Sequence, residues 1–120
     1  MLVTRLDGCR EFLAGDHTIL RELLRSVPGQ VAIGYSLAHG RLEAGGLSKR
    51  HRLASSEVYY FLSGEGEFSI DQESAKIEPG TVVYVPPGAI QSLRNTGSGA
   101  IEFLCLVDPA WKPEDEEILE

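Results

Sequence analysis

Glycine and proline recur along the whole chain, 13 and 6 of them in 120 residues, and they fall between short apolar and β-branched runs. Punctuation at that density leaves little room for helices and points to many short strands joined by tight turns. The run from Glu57 to Leu62 stops at Ser63-Gly64, and Gly66 to Ile70 leads into a polar hairpin connection over residues 71–74. Ala75 to Glu78 ends at Pro79-Gly80, and Thr81 to Val85 is stopped by Pro86-Pro87-Gly88. Ile90 to Arg94 precedes a turn-rich stretch, and Ala100 to Val107 is the last long apolar segment before Asp108-Pro109. An all-β, single-domain chain is the expectation.

Earlier in the chain, Val31, Ile33, Tyr35, Leu37 and His39 alternate with small residues, so a strand buried on its odd-numbered side is expected there. Residues 18–25 read equally as a capped amphipathic helix or as a strand. The strand is favoured because every following element is β and sheets recruit ambiguous neighbours. Past Asp108-Pro109, the stretch from Pro113 to Leu119 could open a short helix whose first-turn acids suit its positive end.

Composition excludes several classes. At 42% hydrophobic and 24% charged, the chain is an ordinary globule. No apolar run approaches the ~20 residues of a membrane span, and Met1 to Asp7 lacks a secretory apolar core, so a cytoplasmic protein without membrane contact is expected. The net charge is −7, of which the last ten residues supply −4 through five acids and one lysine. A chain this acidic does not advertise nucleic-acid binding, which needs a clustered positive surface. Cys9 and Cys105 match neither a disulfide framework nor a zinc spacing, and both read as free thiols.

One pair of blocks carries chemistry. Gly45 is followed after five residues by His51, then Leu53, then Glu57, then Gly64 after six more. The second block runs Gly80, Pro86, Gly88, Gln91, Asn95. Together these blocks resemble the paired motifs of the cupin superfamily, over about 60% of the chain from Tyr35 to Val107. The resemblance implies a double-stranded β-helix, or jelly-roll barrel, over residues 31–110. Residues 1–30 would then form an N-terminal strand or arm of the same domain, and 111–120 an acidic tail. It also implies pairing into a homodimer through the sheets, where Tyr60 and Leu62 would face outward.

The family's interior metal rests on three histidines and a glutamate, and here two of the four positions differ. Leu53 stands at one histidine position and Gln91 at another. A hydrocarbon cannot ligate and an amide oxygen is a weak ligand, so His51, Glu57 and Gln91 would hold a divalent ion such as zinc, nickel, manganese or iron only weakly.

A pocket is expected on the residues alone. If residues 51–57 stay extended, His51, Leu53, Ser55 and Glu57 share one face, so an imidazole and a carboxylate enter the same cavity; a bulge would break this. Glu57 inside an apolar strand needs a partner, such as a metal, His51 or a tyrosine hydroxyl. Gln91 can hydrogen-bond a ligand as readily as touch a metal. Tyr35, His39 and Tyr59 are further pocket candidates; the plainer readings are a strand-end histidine and packing tyrosines. Lys49, Arg50 and Arg52 either bias the mouth toward an anionic ligand or form a solvated turn. Two functions follow. One is an enzyme of isomerase or lyase type in which His51 and Glu57 act, with or without a metal, on a small anionic or sugar-like compound. The other is a non-catalytic ligand-binding module whose metal site is weakened or lost.

Overall fold

The computed structural model describes residues 1–120, and its regular structure is strand apart from two three-residue 3-10 turns, Leu6–Gly8 and Pro113–Asp115. Eleven strands are present: β1 (Glu11–Leu13), β2 (Ile19–Leu24), β3 (Ser36–Leu42), β4 (His51–Leu53), β5 (Ser56–Ser63), β6 (Gly66–Ile70), β7 (Glu73–Ile77), β8 (Val82–Val85), β9 (Gln91–Asn95), β10 (Ile101–Asp108) and β11 (Glu116–Ile118). They form two antiparallel sheets, ordered β1-β2-β3-β10-β5-β8 and β11-β4-β9-β6-β7. This is a single-domain jelly roll. Within residues 18–25 the structure has strand β2, Ile19–Leu24, paired with β1 and β3.

The chain crosses between sheets at Ala54-Ser55, where β4 ends in one sheet and β5 begins in the other. The crossing preserves alternation, since His51, Leu53, Ser55, Glu57, Tyr59 and Phe61 are buried while Arg52, Ala54 and Tyr60 are exposed. The hairpin between β6 and β7 turns on two residues, Asp71-Gln72, with Asp71 in the left-handed region at φ 52. Glu73 and Ser74 therefore belong to β7 and not to the connection.

Three expectations are corrected. On β3 the inward side is even-numbered: Ala38 and Leu42 join the core, and a Cβ on Gly40 would lie 2.2 Å from the Phe103 ring. Val31 to Tyr35 lies outside β3: Val31 makes a local isolated bridge with Val27, and the Gly34 carbonyl accepts from the Ala110 N–H at 2.9 Å. In the acidic C-terminal stretch the expected short helix is only a three-residue 3-10 turn, Pro113–Asp115, and the rest is not a free tail. After that turn the stretch becomes β11 at the sheet edge, pairing with β4. Arg50–Glu120 and Arg52–Glu117 contacts at 2.9 and 2.8 Å fasten it, because the tail's acids meet the basic residues flanking His51.

Phe61, Phe103, Phe68 and Tyr59 pack at centroid separations of 4.9 to 6.3 Å among Leu42, Ile77, Leu93 and Ile101, filling one end of the barrel. Close approach at that end makes Gly64 necessary: it sits at φ 89, and a Cβ would lie 2.7 Å from the carbonyl oxygen of Ala100. Tyr59 and Phe103 also line the cavity that occupies the other end.

Candidate active site

The cavity measures about 320 Å³, at the small end of the range for ligand sites. Its polar groups converge because pairing forces them to. His51 faces Gln91 across β4 and β9, and directly opposed residues in an antiparallel ladder share a face. Glu57 opposes Val85 on one side and Val107 on the other, both buried, so its side chain is held inward.

Glu57 and Gln91 are 5% and 1% exposed, and their hydrogen bonds form a directed chain. The Tyr59 hydroxyl donates to Gln91 Oε1 at 2.6 Å, and Gln91 Nε2 donates to Glu57 Oε1 at 2.8 Å. Burial, then the neighbouring Glu57, hold Tyr59 well above the ordinary phenol range, so it stays a donor. That fixes the amide of Gln91: its oxygen faces Tyr59 and its nitrogen must face Glu57. Burial pushes the Glu57 carboxyl up to about 7 from an ordinary 4.5; the Gln91 hydrogen bond and the His51 charge oppose the rise, and the Asp16 charge adds to it. When Glu57 is protonated, Oε1 is engaged as an acceptor, so the proton sits on Oε2.

His51 is oriented by backbone. Its Nδ1 lies 3.0 Å from the Lys49 carbonyl oxygen, which can only accept, so Nδ1 carries a hydrogen and Nε2 is the nitrogen that gains or loses a proton. Nε2 lies 3.6 Å from Asp16 Oδ2. Asp16 is a site residue that sequence reasoning missed. It is buried in the turn before β2, where its Oδ1 accepts from the Thr18 backbone N–H at 3.0 Å and the Thr18 hydroxyl at 2.7 Å, leaving Oδ2 for His51. The Asp-x-Thr turn signal was present in the sequence, but its approach to His51, 35 positions later, is a property of the folded sheets.

Other candidates divide. Leu53 is buried and lines the cavity on the side of His51 and Glu57, as the spacing predicted. Tyr59 is inward. Tyr35 and His39 are not in the cavity. His39 lies on the outer face of β3, with Nε2 3.2 Å from Glu102 Oε1, because the inward side of that strand is the even-numbered one. Neither Lys49, Arg50 nor Arg52 borders the cavity. Glu116 and Trp111 do, brought there by β11: Glu116 opposes Leu53 and so shares its inward face. Cys105 lines the wall near Glu57, and burial holds its thiol well above its ordinary range, so it is not a thiolate nucleophile.

The divalent ion implied by the resemblance does not fit this donor set. Leu53 offers no donor, both ends of the Gln91 amide are committed to Tyr59 and Glu57, and no three of His, Cys, Asp and Glu gather as a metal-ligating group.

The cupin domain family matches residues 38–107, and the chain belongs to that family. An uncharacterized protein of Methanocaldococcus jannaschii is 31% identical over all of this chain and 96% of its own length. The oxalate-binding protein of Thermotoga maritima is 37% identical over 51 residues, 42% of each chain. Among solved structures, the Streptomyces nucleoside dehydratase Pac13 superimposes with a TM-score of 0.79 at 21% identity, covering all of this chain and 92% of that one. The proteins this chain resembles thus include both an enzyme of the same fold and a binding protein.

Proposed function

We propose that the cavity binds a small molecule bearing hydroxyl or carbonyl groups and that Glu57 and His51 exchange protons with it, as an isomerase or lyase requires. The observation that carries this is Glu57: a buried carboxyl at about 7 in the cavity wall, with Oε1 held by Gln91. A group balanced near neutral pH gives and takes a proton with comparable ease, which is what a general acid–base needs. His51 Nε2 supplies a second proton site on the same wall. One group removes a proton from the ligand while the other delivers one to a departing or rearranging oxygen, which describes both loss of water and migration of a carbonyl. A barrel of this fold that dehydrates a nucleoside is in keeping with the reading, as a fold-level analogy.

Incubation of the full chain with neutral polyols, keto compounds and nucleosides in deuterium oxide tests it. Mass spectrometry should find at least one compound that gains deuterium or changes mass, with the rate lost at least 100-fold in Glu57→Gln and strongly reduced in His51→Ala. Leu53 at the wall favours the second reading, a non-catalytic binding module. Binding without exchange in any compound would decide for that module.

The reading includes a homodimer. Val58, Tyr60, Val82 and Tyr84 share the outer face of the β5–β8 ladder, and the last three are 45 to 61% exposed. A second copy covering this apolar edge would remove it from water.

A further inference from the structure

Four carboxylates border the cavity, Asp16, Glu22, Glu57 and Glu116, and no lysine or arginine does. Two of the four are paired with a basic side chain: Asp16 with His51 at 3.6 Å, and Glu22 with Arg25 at 3.2 Å. The other two are not. Glu57 takes the amide of Gln91, and Glu116 takes the indole N–H of Trp111 at 3.4 Å; both donors are neutral. More than half of the lining residues are hydrophobic, so the field of these two groups is screened far less than it would be in open water. Glu57 lies deep and Glu116 half-buried, with the half-buried Trp111 beside it. The C-terminal segment that carries them is tied down by Arg25 Nη2 donating to the Trp111 carbonyl, and by Trp111 N–H donating to the Ser36 hydroxyl at 3.0 Å.

We propose that the ligand of this cavity is a small organic cation, an amine whose ammonium group lies against Glu116 and the Trp111 ring while its apolar body packs along the hydrophobic lining. An ammonium carries three donors and no acceptor, which suits a wall of carboxylate oxygens, and tryptophan offers the strongest aromatic face to a cation. The apolar lining then covers the rest of the molecule. An anion at the same place would meet the Glu116 carboxylate with no cation beside it. This rests on the cavity being the ligand site, as proposed above, and not on Glu57 transferring a proton.

Isothermal titration of the full chain with three compounds of one skeleton tests the charge: phenethylamine, phenethyl alcohol and phenylacetate, with oxalate as a second anion. The amine should bind roughly tenfold tighter than the alcohol, and neither anion should bind measurably. Glu116→Gln keeps an oxygen for the indole N–H; it should erase most of the amine's advantage while leaving the alcohol's affinity unchanged. Trp111→Leu should do the same to a smaller degree, and circular dichroism of both variants should match the parent. Equal affinities across the series, tighter binding of either anion, no binding of the amine at millimolar concentration, or amine binding indifferent to Glu116→Gln would overturn the proposal. Amine binding that depends on Glu116, with no Glu57-dependent exchange of deuterium, would sustain it and remove the acid–base function instead.

Discussion

Replacing Glu57 by glutamine should stabilise the fold, and only at the higher end of the pH range. Below about pH 4.5 the carboxyl is protonated in folded and unfolded chains alike, and folding carries no charge into the barrel. Between 4.5 and about 7 the unfolded chain has released this proton and the folded chain has kept it, so stability falls as pH rises. Above about 7 both states are ionised and the full penalty persists. The interval from 4.5 to about 7, at 1.36 kcal/mol per pH unit, corresponds to about 3 kcal/mol. Glutamine avoids it, because its amide oxygen can still accept from Gln91 Nε2. Urea unfolding of the parent and Glu57→Gln at one protein concentration, at pH 4.5 and pH 8, gives a difference of differences in which the other titrating groups cancel. With slopes of about 1–3 kcal/mol per molar, the gap between midpoints should widen by about 1–3 M from the lower to the higher pH, in favour of glutamine. A gap that does not change with pH would refute the reasoning.

Three further outcomes follow from particular positions. Leu53→His places an imidazole on the wall shared by His51 and Glu57, so titration with zinc or nickel should show binding at least tenfold tighter than the parent; no tightening would mean that position 53 does not point at the site. Gly40→Ala drives a methyl group into the Phe103 ring and should cost about 1–3 kcal/mol by chemical denaturation, whereas a neutral result would contradict the packing between β3 and β10. Light scattering on a sizing column should return twice the chain mass for the parent and the single-chain mass for a Tyr60→Glu, Tyr84→Glu double variant; a parent that elutes as a single chain would remove the homodimer.

The barrel was legible because its turns are written in glycine and proline and its strands in alternation. Residues 51–59 show how far that goes: parity alone put His51, Leu53, Glu57 and Tyr59 on one wall, and it survived a change of sheet at Ala54-Ser55. Parity failed on β3, where the large residues at odd positions suggested the inside. The interior there is filled by Phe103, whose ring leaves no room for a side chain on Gly40 opposite it, and Ala38 faces in beside it opposite Cys105, so the small side faces in. Asp16 and Glu116 were out of reach for a different reason. Each is placed by a pairing between segments far apart in sequence, and no local pattern records which edge a terminal segment will join. The C-terminal acids suit the first turn of a short helix by local pattern, and nothing local shows that Glu117 and Glu120 meet Arg52 and Arg50 across the sheets.

The central claim is that Glu57 stands at the cavity wall with its proton half-released near neutral pH. Carbon-13 NMR of the glutamate side-chain carboxyls across pH 3 to 9, with Glu57→Gln used to assign the resonance that disappears, measures this directly. A Glu57 midpoint near 7, well above the other glutamates, is the predicted result; a midpoint near 4.5, in line with exposed carboxyls, would contradict the account.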